Sequence, residues 1–220
     1  MIRLAVVGAI ASGKSTVLGQ LRGLGAETSS ADELVRQLTA PGQAALGQII
    51  AAFGEAYLQE DGSLDRKRLA RLIFESSEAR DRLEAILHPA VLRRIDAWLA
   101  GLGERDAPPA VAAVEVLRLP RRLRARDLFD VVWLCSASES VRARRLIERD
   151  GLPETEAQRR IEVQRSQQID DCEPDLVLNT EGPVDGLASR VREAWAALIR
   201  PSSRPAVALD PSRERAERKP

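Results

Sequence analysis

One stretch near the N-terminus constrains this chain more than any other. Positions 8–16 read Gly-Ala-Ile-Ala-Ser-Gly-Lys-Ser-Thr, a G-x-x-x-x-G-K-[ST] pattern. The stretch follows Ile2–Val7, a short apolar run rich in β-branched residues, and a helical pattern starts near Lys14. It therefore stands between a strand and a helix, the context such a loop needs. A loop of this kind turns its backbone N–H groups inward as an anion nest, and the helix N-terminus adds partial positive charge. Gly8 and Gly13 allow close backbone approach, with Ala11, Ser12 and Thr16 completing the cradle. Lys14 is placed to neutralise the β- and γ-phosphates of a nucleotide, and the Ser15 hydroxyl to ligate Mg²⁺. The competing reading is a chance match in a Gly-rich turn. Even taken at face value, the motif implies nucleotide binding and does not choose between phosphoryl transfer to a small molecule, a GTPase switch and a motor.

Composition narrows the partners. The 220 residues suit one domain, or one domain carrying an insertion. Lys+Arg and Asp+Glu both number 33, so there is no basic excess of the kind a general nucleic-acid binder shows. Aromatic residues make up only 3%, which leaves little for stacking single-stranded bases. Cys135 and Cys172 form no CxxC or Cys/His cluster, so the chain reads as reduced and cytoplasmic rather than disulfide-built or zinc-built. No stretch is long and apolar enough to span a bilayer. The apolar N-terminus is broken early by small residues and Lys14, and reads as a buried strand rather than a signal peptide. Neither a membrane nor a nucleic acid is expected as a partner, and a monomer is favoured.

Further strands are expected at Ala26–Ser30, Ala110–Leu117, Asp130–Cys135 and Asp175–Leu178. Between Pro41 and about Leu102 the apolar residues recur at helical spacing: Leu69, Leu72 and Ile73, then Leu83, Ile86 and Leu87, then Val91, Ile95 and Leu99. This is read as a helical insertion over 41–109. An Arg-rich helix over Ser138–Arg149 and a polar helix over Glu154–Gln168 flank a turn at Asp150–Pro153, and Val184–Ile199 closes the set. Strands alternating with helices imply an α/β fold, a mostly parallel five-stranded sheet covered on both faces. The core is expected over 1–40 and 110–200. Residues 201–220 combine Pro, Ser, Arg and Glu with few apolar side chains, and are read as a disordered tail.

Asp32 narrows the argument. Short kinases with this loop carry an acidic residue at the end of the second strand, where it can accept the proton of the attacking hydroxyl or order the magnesium shell. Asp32 also reads as a helix N-cap before Glu33-Leu34-Val35.

With these motifs in hand, residues 1–200 resemble dephospho-CoA kinase. Gly8–Thr16 is similar to that family's phosphate loop, and Ser30-Ala31-Asp32 to its Asp-Ala-Asp, with Asp32 on the catalytic position. Arg36-Gln37-Leu38, Pro41-Gly42, Phe53-Gly54, Asp61–Arg66, Ile73-Phe74 and Leu87-His88-Pro89 follow in the family's order. Arg149–Leu152 and Ala157–Gln164 resemble the lid, and Asn179–Gly182 the adenine-side Asn-x-x-Gly. The resemblance implies a P-loop kinase-like three-layer fold with a helical lid over about 138–168. It implies transfer of the γ-phosphate of ATP, with Mg²⁺, to the ribose 3′-hydroxyl of dephospho-CoA, which would sit on the insertion. It casts Lys14, Asp32 and Arg149 as catalytic, Arg144 and Asn179 as nucleotide contacts, and Ser15 and Asp32 at the metal.

The chain departs from the family in places. Ala9 and Ala11 replace two loop glycines, which alanine can do only where φ stays negative. Ser30 replaces an Asp. The stretch Glu115–Leu119 stands where the family has Pro-Leu-Leu-Phe-Glu, so a substrate-side carboxylate is lost at Leu119 or relocated to Glu115. In the second case Glu115 would face the acceptor; otherwise it is a solvated edge residue. His88, the only histidine, sits at an expected helix junction and reads as structural or substrate-contacting rather than as a base. Arg142, Arg144, Arg145 and Arg149 are either lid arginines or a solvated face paired with Glu148 and Asp150. Two alternatives to the kinase stand: a nucleotide-binding relative without kinase activity, and a kinase of another small alcohol or nucleotide.

Overall fold

The computed structural model describes residues 1–116, 128–166 and 173–200. The expected tail, Leu119 and Cys172 lie outside the described residues. Five strands form one sheet in the order β2-β3-β1-β4-β5: β1 Ile2–Gly8, β2 Glu27–Ser30, β3 Val111–Glu115, β4 Val131–Ser136 and β5 Leu176–Asn179. All four pairings are parallel.

β1 lies at the centre, and its side chains alternate between two cores. Leu4 and Val6 join Val17, Leu21, Trp133, Leu187 and Val191 on one face. Ala5 and Val7 join Leu34, Ile95, Leu99, Phe129 and Val132 on the other. A parallel sheet covered on both faces needs apolar residues at successive positions, which is why β1 reads as an unbroken apolar run. Helices α1 (Lys14–Gly23) and α8 (Val184–Leu198) cover the first face; α2 (Ala31–Leu38) and the second half of α5 (Ser77–Gly103) cover the second.

Helices α3 (Ala44–Phe53) and α4 (Arg66–Glu75) pack with the first half of α5 around Leu46, Ile49, Leu69 and Leu83. Asp65 caps α4 by accepting from Arg68 N at 3.0 Å, and Ser76 caps α5 by accepting from Ala79 N at 3.1 Å. The expected break at Leu87-His88-Pro89 is not there: α5 runs through Pro89. An internal proline removes one backbone hydrogen bond and costs about 3 kcal/mol. Burial on both sides offsets it, since Leu83 is held in the helical cluster and Val91, Ile95, Leu99 and Leu102 against the sheet. The helical segment and the sheet thus share one helix.

Helices α6 (Glu139–Asp150) and α7 (Glu154–Ser166) form a hairpin whose apolar seam, Leu146, Ala157 and Ile161, rests on Ile10 and Ala11 of the phosphate loop. Among the described residues no helix is long and apolar enough to cross a membrane.

Candidate active site

The sheet order reverses around β1, with β3 on one side and β4 on the other. A crevice opens at such a switch point, outside the carboxyl ends of the strands. The loop 8–16 fills it. Gly8 has φ +148°, and a Cβ there would meet the Cys135 carbonyl oxygen at 2.5 Å, so only glycine fits. Gly13 has φ +87° and lies against Thr180. Ala11 takes φ +57°. The expectation that alanine marks a position of negative φ is therefore corrected. A left-handed alanine costs roughly 1–2 kcal/mol. Its methyl packs into the seam of the α6–α7 hairpin, which offsets part of that strain.

Lys14 is only 7% exposed, and its Nζ donates to the Ala9 carbonyl at 3.0 Å. Burial lowers its pKa, while the Glu115 and Asp32 carboxylates oppose that shift and Arg149 adds to it. These four charged groups thus face one another across the crevice. Ser15 and Thr16 stay exposed at the start of α1. The Ser15 hydroxyl donates to Glu115 Oε1 at 3.1 Å. Glu115, expected either at the acceptor or as a solvated edge residue, lies against the phosphate loop, because β3 pairs directly with β1 and sets Glu115 beside Val6. The hydroxyl and carboxylate are hard oxygen donors, the set Mg²⁺ takes alongside water and substrate phosphates. Among the described residues no cluster of three or more acidic, His or Cys side chains could hold a metal unaided.

Asp32 sits in the first turn of α2 and is exposed; the N-cap is Ser30, so the N-cap reading of Asp32 is corrected. On the opposite wall, Arg149 makes a two-pronged bond to Asp150 at 2.7 and 2.8 Å and feels Glu115. Arg144 is exposed on α6. Its neighbour Arg145 reaches the loop instead, donating to Ala11 O at 3.1 Å and Thr180 O at 2.5 Å. One residue turns a helix by about 100°, so Arg142, Arg145 and Arg149 share a face and Arg144 does not. Asn179 is exposed, and its Oδ1 accepts from Glu181 N at 2.8 Å, which shapes the turn after β5. His88 lies on α5 3.9 Å from Glu84 and is not joined to this cluster by any described bond. Burial pushes the Cys135 thiol up to about 12, leaving it an inert core residue.

Two residues lie inside stretches that resemble the family, Asn179–Gly182 and Ala157–Gln164, but had no role of their own in the sequence reading. Thr180 is 1% exposed; its hydroxyl donates to Ser12 O at 2.6 Å and so ties the phosphate loop to the β5 turn. Gln164 is 8% exposed, and its Oε1 accepts from Ile10 N at 2.6 Å, pinning α7 to the loop. Neither lies within the loop motif, so only the fold brings them to it. Thr180→Val keeps the shape and removes the donor. It is expected to cost about 1–3 kcal/mol of stability and to raise the KM for ATP, read by thermal melting and steady-state kinetics.

The family model for dephospho-CoA kinase matches residues 2–185. The chain belongs to the dephospho-CoA kinase family. A dephospho-CoA kinase of Geobacter sulfurreducens is 39% identical over 193 residues, covering 88% of this chain and 96% of its own. One of Shouchella clausii is 40% identical over 198 residues, covering 89% and 98%. Among solved structures, TT1252 of Thermus thermophilus superposes with a TM-score of 0.65 at 28% identity, covering 89% of this chain and 96% of its own. The dephospho-CoA kinase of Campylobacter jejuni (TM-score 0.56, 21% identity, 89% and 96% covered) shares the fold. So does a shikimate kinase of Bacteroides thetaiotaomicron (0.51, 14%, 89% and 98%). The P-loop kinase fold expected from the motifs is thus shared with these kinases.

Proposed function

We propose that this dephospho-CoA kinase family member transfers the γ-phosphoryl group of ATP to the ribose 3′-hydroxyl of dephospho-CoA, giving CoA and ADP. The observation that carries the proposal is the convergence of Lys14, Asp32, Glu115 and Arg149 on the crevice beside Ser15. The loop N–H groups and Lys14 would bind the β- and γ-phosphates. Asp32, exposed at the mouth, would accept the proton of the 3′-hydroxyl. Arg149 would stabilise charge on the transferring group, as donors aimed at developing charge do. Ser15, Glu115 and Asp32 would hold Mg²⁺, which supplies charge neutralisation on the phosphates. The helical segment over 41–109 would carry dephospho-CoA, and the α6–α7 hairpin would close as a lid. Asn179 would contact the nucleotide on the adenine side, and Arg145 would brace the phosphate loop through Ala11 O and Thr180 O. The reading carries with it a cytoplasmic, monomeric enzyme.

An ADP-release assay coupled to NADH oxidation tests it. Release that depends on dephospho-CoA supports the proposal. Release with nucleosides or other small alcohols alone supports a different acceptor, and ADP release no faster than background ATP hydrolysis supports a nucleotide-binding relative without kinase activity. Glu115→Gln separates its two assignments. It should raise the Mg²⁺ concentration for half-maximal rate by about tenfold or more while leaving the KM for dephospho-CoA near its starting value. A selective rise in the KM for dephospho-CoA would return Glu115 to the acceptor side.

A further inference from the structure

α2 carries Asp32 in its first turn and Arg36 one turn later, so both project from the same face. An Asp–Arg pair at this spacing ordinarily bonds. Here Arg36 has no described ion pair, either with Asp32 or with Glu33 beside it.

A second arginine is fixed at the same place. Arg66 opens α4, and its Nη2 donates to Thr39 Oγ1 at 2.7 Å and reaches the Arg36 carbonyl at 3.4 Å. Thr39 is itself locked: it is 1% exposed and donates to Val35 O at 2.7 Å. The Arg66 guanidinium is thus held against the end of α2 beside the Arg36 backbone, and its pKa is lowered by burial first and by the Arg36 charge second. Among the described residues no carboxylate ion-pairs with either, and the first turn of α4 has no acidic residue. Arg66, held at the end of α2, and the exposed Arg36 thus put two positive charges there with no described counter-charge, a place an anion can join.

The spacing says which anion. Four residues of helix rise about 6 Å, comparable to one ribose from its 3′-hydroxyl to its 5′-phosphate. With the acceptor hydroxyl at Asp32, the 5′-diphosphate falls at the arginine pair. We propose that Arg36 and Arg66 form an anion subsite for the 5′-diphosphate of the acceptor, and so select a nucleotide-type acceptor over a neutral alcohol. The subsite rests on the functional reading above and adds to it the residues that recognise the acceptor's charged group.

Arg36→Gln is the clean test, because the Arg36 side chain holds no described hydrogen bond. Steady-state kinetics of the full chain should show the KM for dephospho-CoA rising about tenfold or more, with the KM for ATP within about twofold and the melting curve unchanged. Raising the salt concentration should weaken dephospho-CoA binding less in this variant than in the unaltered chain, since one screened charge is gone. Arg36→Lys should recover part of the loss. If the unaltered protein turns over dephospho-CoA and Arg36→Gln leaves that KM unchanged, the subsite is overturned while the function stands. If the unaltered protein does not turn it over, the functional reading fails. Calorimetric titration with dephospho-CoA then reads the pair directly: equal affinity in both proteins, or no binding to either, overturns the subsite as well.

Discussion

Lys14→Met is expected to lower kcat/KM by about two to four orders of magnitude, since losing one partner of a buried charged contact costs roughly 3–5 kcal/mol. The ammonium is held inside the loop, 7% exposed, with one bond to the Ala9 carbonyl at 3.0 Å. Burial alone would favour the neutral amine, and Glu115 and Asp32 oppose this. The cation is therefore kept in place for an incoming phosphate, and methionine fills the same space without it. The fold should survive, because the apolar chain has no desolvation cost of its own to meet. Steady-state kinetics alongside thermal melting decide the matter: near-normal turnover with an unchanged melting curve would remove Lys14 from phosphate binding.

For Asp32→Asn the expected loss is in kcat, about a hundredfold or more, the scale of a general base. The KM for ATP should hold at saturating Mg²⁺, because Asp32 sits in the first turn of α2 and not in the loop. Its stability cost should be small, about 0.3–1 kcal/mol, from one fewer negative charge in a helix first turn. Asparagine keeps the size. A variant that loses stability and keeps its rate would make Asp32 a helix-dipole residue only.

Much of the fold was legible along the chain. β1 is an apolar run too short for a buried helix and bounded by Gly8, and helical spacing over 69–99 excluded strands there. The strand–helix alternation implied a parallel sheet because parallel strands need crossovers. The loop's chemistry was legible too, since a phosphate cradle is built from contiguous residues whose spacing is its geometry. Pro89 misled, because a proline's local cost is readable and the packing on either side of it is not.

By itself, the sequence determined the phosphate loop, the strand–helix alternation and the family, all carried by residues close in the chain or by motifs in a set order. The tertiary structure decided what depends on which strands are neighbours. β3 beside β1 set Glu115 against Ser15 of the phosphate loop. The α6 rotation set Arg145, and not Arg144, against the phosphate loop, and the β5 turn brought Thr180 under Ser12. The docking of α4 on α2 set Arg66 beside Arg36. Each is a contact between distant segments, fixed by sheet order and helix packing, which leave no local pattern in the chain.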